Sequence, residues 1–329
     1  MAEVRDRPQP APAAAPAEFS ISLQNRGVLA QPGNLLALAE RAETLGYDAL
    51  WVTDHIVIPF QIASRYPYSP TGEFIIDATG DYLEPLTSLA FLAGRTRRIR
   101  VGTSVLVVPI RHPLEAAKAL ATLDVLSGGR LIVGVGTGWL AEEFATLGVP
   151  FADRVARTEE YLRIFKEVWT NPRPRFEGRF VSFAGIGFQP KPRQKPHPPI
   201  WIGGHGPRAL RRVAELGDGW KPVGLRPPGT LEPDAFAVEV RKLHDLTAAR
   251  SRDPATITVA IKVPVAFVPG PAGASRPLLT GTPAQIVEDL ARYRAAGVRH
   301  FILDFATADP GEMHETLDRF ARDVRPVVR

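Results

Sequence analysis

The chain alternates short apolar runs with longer stretches in which apolar residues recur every three or four positions. A short run apolar on both faces reads as a strand covered on both sides, and the second pattern as a helix with one buried stripe. EFSISL (18–23) is the first such strand. NLLALAERAETLGY follows, with Leu35, Leu38, Ala39, Ala42 and Leu45 at helical spacing and Asn34 placed to cap the helix start. DALWVTDH then pairs with LEPLTSLAFLAGRT across a long insertion, and IRVGTSVLVVP (99–109) with HPLEAAKALATLDVLSGG, whose glycines close the helix. GGRLIVGVGTGWL (128–140) is the fourth strand, and FADRVARTEEYLRIFKEVWT the amphipathic helix beyond it.

RFEGRFVSF interrupts the rhythm as a small hairpin turning at Glu177-Gly178. PPIWIGG with RALRRVAELG, GDGWKPV with a helix near 234–250, TITVAIKVPVAFV with TPAQIVEDLARYRAAG, and HFILDFA with MHETLDRFARDV complete the series. About eight βα units in one chain predict an α/β fold of the (β/α)8 TIM barrel type with insertions, a single domain over 18–329. Residues 1–17, MAEVRDRPQPAPAAAPA, lack an apolar core segment and read as a flexible tail.

Composition narrows the chemistry. The chain has 329 residues and no cysteine, which excludes disulfides, thiolate metal sites and thiol nucleophiles. Its formal charge of +5 comes from arginines scattered along helices, so a nucleic-acid partner is not expected. No apolar run is long enough to span a bilayer, so no membrane partner is expected and the cytoplasm is the default location. The histidines are too dispersed to show metal-ligand spacing.

Three stretches are candidates for the site. In GGRLIVGVGTGWL the position that a dinucleotide fingerprint needs as its third glycine is Trp139, and the strand is the fourth, so a phosphate loop is not expected there. Alternate glycines on a strand face one side. They either make room for a bulky neighbour inside the barrel or let a planar ligand approach, and Gly134 suits the first reading and Gly136 to Gly138 the second. Asp54-His55 follows the second strand at the end where barrel enzymes place their sites, and His55 suits acid–base work near neutral pH. A turn cap and a packed ring are the plainer roles for the same pair. IWIGGHGPRAL is a strand, a glycine turn and a helix start. The N–H groups of Gly203, Gly204, His205 and Gly206, with Arg208 nearby, suit a phosphate, although an ordinary tight turn needs the same glycines.

Together, GYDALWVTDHIVIP, the run from LEPLTSLAFLAGRT to FATLGVPFADR, and KPHPPIWIGGHGPRALRRVAELGDGW closely resemble the bacterial luciferase-like oxidoreductases. Within them the chain is similar to the branch that uses the deazaflavin coenzyme F420, from about residue 18 onward. The resemblance implies a luciferase-like barrel, with the cofactor ring in the C-terminal mouth against a bulge in the third strand that contains a non-proline cis bond, here Ser104-Val105. It implies Asp54 as a ring contact, His55 as the neighbouring active-site residue, Gly136, Thr137 and Gly138 lining the cofactor, and Gly203 to Gly206 holding its phosphate.

One position departs from the pattern. Sugar-phosphate dehydrogenases of this family carry a Glu directly after the T-G of the fourth strand, and here that residue is Trp139. The implied activity is hydride transfer between the deazaflavin C5 and a small organic substrate, with His55 as acid–base group and Trp139 as a substrate-side wall. An FMN-dependent monooxygenase is the alternative, in which the flavin nitrogen that a deazaflavin lacks makes oxygen chemistry facile. A non-catalytic cofactor-binding barrel is a third. The family habit also implies a homodimer. The insertion from Ile56 to Tyr82, with Phe60, Tyr66, Tyr68 and Phe74, is expected to cover the mouth.

Overall fold

Inward-facing glycines and two tryptophans determine how the barrel is filled. In the computed structural model, which describes residues 16–273 and 275–328, the parallel strands run β1 (Glu18–Ser22), β2 (Ala49–Val52), β3 (Arg100–Thr103), β4 (Leu106–Val107), β5 (Leu131–Gly136), β6 (Ile200–Ile202), β7 (Gly219–Trp220), β8 (Thr258–Phe267), β9 (Thr280–Gly281) and β10 (His300–Phe305). The order β10-β1-β2-β3-β5-β6-β7-β8 closes on itself through β8–β10 pairing, with His300 opposite Ala260. This is a closed eight-strand TIM barrel, as the eight apolar runs predict. β4 continues β3 after a break, and β9 is a short addition beside β8.

Inside, Trp51 and Trp201 pack against each other at 5.3 Å between ring centroids, together with Ala49, Ile132, Ala260 and Ile302. A Cβ on Gly102 would stand 2.7 Å from the Trp51 ring, and one on Gly219 2.5 Å from Trp201. Glycines paired with each tryptophan on the adjacent strand therefore let two large rings fill one layer. Beneath them, Ser20 Oγ takes the Trp51 Nε1 proton at 2.8 Å and meets His300 Nε2 at 2.7 Å, while His300 Nδ1 reaches Glu18 Oε2 at 2.6 Å.

Outside, α1 (Pro32–Leu45), α2 (Pro85–Arg95), α3 (Pro113–Leu126), α4 (Ala141–Thr146), α5 (Arg154–Thr170), α6 (Pro207–Leu216), α7 (Pro233–Ala248), α8 (Pro283–Ala295), α9 (Pro310–Asp323) and α10 (Arg325–Val328) surround the strands. Seven of them, from α1 to α9, carry proline in the first turn, where its missing N–H costs nothing. Pro32 moves the start of α1 ahead of the expected cap. Gln31 is the capping residue, and Asn34, already inside the first turn, donates from Nδ2 to Val28 O at 2.9 Å. The expected tight hairpin at Glu177-Gly178 is instead a wider loop closed by a single antiparallel bridge between Phe176 and Phe183. Its turn is held from α5, where Glu160 accepts from the N–H groups of Arg179, Phe180 and Val181. Of the expected N-terminal tail, residues 1–15 lie outside the described residues.

Candidate active site at the barrel mouth

The floor of the mouth is the break between β3 and β4. The Ser104-Val105 peptide is cis, which carries the chain out of β3 and back into β4 one step further on. Asp54 secures this bulge. Its carboxylate accepts from Val107 N at 2.8 Å and from Arg111 Nη1 and Nη2 at 2.6 and 2.8 Å, and is closed off from solvent. Both oxygens are thus engaged by the protein, so the contacts that Asp54 makes in the structure are those that hold the bulge. Arg111, shortly after β4, also reaches Glu84 Oε1 at 3.3 Å. A guanidinium is suited to such a bidentate buried pair by its planar fork.

Gly134 makes room for a neighbour, as expected of it, and Gly136 and Gly138 are closely approached as well. A Cβ on Gly134 would lie 1.9 Å from Thr103 O, and one on Gly136 2.4 Å from Val105 Cγ2. Val105 fills that space and also approaches Gly203, where an added Cβ would lie 3.3 Å from its Cγ1. Gly138 has φ +80 and faces Phe144 and Val107. The three glycines thus accommodate the bulge and its neighbours, and the surface left at the floor is formed by Ser104, Val105 and Thr137, all partly exposed.

His55 stands beside this floor. Its Nδ1 meets Glu143 Oε2 at 2.8 Å, and Glu143 Oε1 accepts from Ile56 N at 2.7 Å. Glu143 is buried. A carboxylate held on one ring nitrogen fixes the imidazole's orientation and leaves the other nitrogen, Nε2, available. Among the described residues Nε2 has no protein partner.

The insertion covers the mouth on this side. Trp139 has Tyr66 and Phe74 each at 5.0 Å and His55 at 6.2 Å; Tyr66 also meets Tyr68, and His55 also meets Tyr82. Trp139 is therefore the centre of an aromatic cluster, half-buried under the insertion. Phe60 stays outside it, 84% exposed. Glu142 pins the insertion by accepting from Ala63 N and Ser64 N at 2.8 and 2.9 Å. Consecutive glutamates of α4 thus hold the cover and the histidine.

Cations line the opposite side. Lys221 after β7 and Lys262 on β8 are buried. Lys262 Nζ lies 3.9 Å from Asp304 Oδ2 on β10, and Arg226 Nη2 meets the same oxygen at 2.6 Å. Burial opposes the Asp304 charge, but Lys262 and Arg226 outweigh it and hold the carboxyl below its ordinary value.

The glycine turn before α6 is only partly free. Gly203 N donates to Val135 O at 2.9 Å, so it is removed from the expected phosphate cradle. No protein acceptor takes the N–H groups of Gly204, His205 or Gly206 among the described residues, and Gly206 caps α6. The His205 side chain turns away toward Gly229, where an added Cβ would lie 2.7 Å from its Cε1. Three free N–H groups at the start of a ten-residue helix fit an anionic group.

Sequence reasoning missed Glu143, Glu142, Arg111, Lys221 and Lys262. Glu143 lies 88 positions from His55, so no local spacing linked them. The lysines did leave a signal, a lone cation inside apolar GDGWKPV and TVAIKVPV.

The structure is a parallel barrel with a bulged third strand, a carboxylate-held histidine at its mouth and a glycine turn with free N–H groups before α6. The family model for luciferase-like monooxygenase matches residues 14–278, and the chain belongs to that family. The F420-dependent glucose-6-phosphate dehydrogenase of Microbacterium testaceum is 28% identical over 338 residues, covering 91% of this chain and 94% of that protein. Monooxygenase RslO1 from Streptomyces bottropensis has the same fold, with a TM-score of 0.77 at 23% identity over 94% of this chain and 99% of that one. So does an F420-dependent secondary alcohol dehydrogenase, with a TM-score of 0.74 at 18% identity over 95% and 99%.

Proposed function

We propose that the protein is a coenzyme F420-dependent oxidoreductase that exchanges a hydride between the deazaflavin C5 and a small organic substrate. The observation that carries this reading is His55, fixed through Nδ1 by buried Glu143 with Nε2 left for substrate. The relative from Microbacterium testaceum, named for F420 dependence along nearly its whole length, favours the deazaflavin. The family description as monooxygenase and the likeness to RslO1 support FMN as the second reading.

The bound deazaflavin supplies a carbon that accepts or gives a hydride. The chain supplies the rest. Ser104, Val105 and Thr137 present the floor, and the N–H groups of Gly204, His205 and Gly206 with the start of α6 hold the phosphate. Trp139, Tyr66 and Phe74 exclude water above the site. His55 Nε2 takes a proton from a substrate hydroxyl as the hydride leaves, and returns it in the reverse direction. Its partner Glu143 stabilises the charge that His55 then carries.

Titration of the purified protein with each cofactor, followed by fluorescence, tests the assignment. Deazaflavin binding at least about tenfold tighter than FMN is expected. FMN binding with no measurable affinity for the deazaflavin would overturn it.

A further inference from the structure

Residue 139 is Trp, where the family resemblance implies a carboxylate in sugar-phosphate dehydrogenases. A hydride carries two electrons to the cofactor ring, and a proton must follow to a ring nitrogen if no charge is to remain there. His55 is already occupied with the substrate's oxygen.

Lys221 is placed to provide that proton. Its side chain is 1% exposed, and among the described residues its Nζ has one hydrogen-bond partner, Ser104 Oγ at 2.8 Å. From β2 it is faced by the Trp51 ring, whose centroid is 5.4 Å away. From β8 it is faced by the like charge of Lys262. The carboxylate that could have neutralised it, Asp304 on β10, is shared by Lys262 and Arg226. Burial first, then Lys262, push the Lys221 amine well below the ordinary lysine value.

Ser104 connects this amine to the site. A hydroxyl donates and accepts at once, and Ser104, unlike Lys221, is only half-buried, on the bulge that floors the mouth. We propose that Lys221 and Ser104 form a proton relay that exchanges a proton with a ring nitrogen of the bound cofactor, the task left open by Trp139. This rests on the hydride-transfer reading above. When substrate is oxidised, its carbon loses a hydride to C5 and its hydroxyl proton passes to His55 Nε2. Ser104 Oγ gives its proton to the ring nitrogen and takes one from the Lys221 ammonium, which ends as the neutral amine. The reverse reaction returns the proton to Lys221. Two protons are thus handled by two separate groups, one on each side of the mouth. Lys221 acts through Ser104 and is a positioning residue.

Two measurements test the relay. The first needs no cofactor: the Lys221 side-chain NMR signal, identified by its absence in Lys221→Met, is followed against pH. A transition in the neutral range supports the relay, and an amine that stays charged up to the ordinary lysine value overturns it. The second is calorimetry of oxidised and reduced cofactor in buffers of different ionisation heat, which counts the protons exchanged. Because the relay supplies the ring's proton from the Lys221 ammonium, reduced and oxidised cofactor should draw equal numbers of protons from buffer in wild type, whereas Lys221→Met, with no internal donor, should draw about one more for reduced cofactor. Ser104→Ala should keep the proton count and lower kcat about tenfold or more. An equal count in wild type and Lys221→Met overturns the relay. Binding of neither cofactor overturns the functional reading instead, and the NMR transition still decides whether Lys221 can exchange its proton.

Discussion

His55 shows how a single residue acquires a function from its surroundings. An imidazole beside a barrel mouth can pack or react, and what separates the two is whether one nitrogen is fixed and the other left available. Glu143 fixes Nδ1 at 2.8 Å. His55→Ala should therefore lower turnover about 100-fold or more while changing cofactor affinity little. Steady-state kinetics beside a binding titration checks this, and equal losses in both would make His55 a binding residue. At the glycine turn, Gly204 has φ +88, and an added Cβ would lie 3.3 Å from Ala209 Cβ. Gly204→Val should weaken cofactor binding by displacing the free N–H groups; unchanged affinity in the same titration would show the turn to be only structural.

At the scale of the element, the bulge between β3 and β4 depends on one ion pair. Asp54 joins the end of β2 to Val107 and Arg111, so removing its charge leaves a guanidinium with 13% of its side chain exposed facing a neutral amide. Asp54→Asn should cost about 3 kcal/mol or more of stability and loosen the floor. Chemical denaturation measures this. Lost cofactor affinity with unchanged stability would point instead to direct ring contact by Asp54. The insertion is tied to α4 by Glu142 and Glu143, so the cover and His55 are held by one short helix. Any variant that shifts α4 disturbs both.

The whole molecule is closed at the base of the barrel by Glu18 and His300. Burial opposes the Glu18 charge, but His300 and Arg100 outweigh it and hold its carboxyl down at about 2. Burial likewise lowers His300 from 6.5, more than Glu18 raises it. Both groups bind protons more weakly when folded than when unfolded, so their contribution to stability is full above 6.5, the ordinary histidine value, and is lost progressively as pH falls toward about 2. Thermal unfolding followed against pH should show Tm falling through that window. His300→Gln should remove the upper part of the dependence, and a Tm flat between neutral pH and the ordinary glutamate value of 4.5 would contradict the pairing.

By itself the sequence determined the alternation of strand and helix, and with it the closed barrel and the end at which the site lies, because hydrophobic periodicity is a local property. It also placed His55 and the glycine turn at that end. Only the tertiary structure decided what each residue does there. Gly136 makes room for Val105, Asp54 holds the bulge, His205 turns aside, and Glu143 and Lys221 reach His55 and Ser104 from 88 and 117 positions away. Such partners meet only when the barrel closes, and their distances along the chain carry no trace of it.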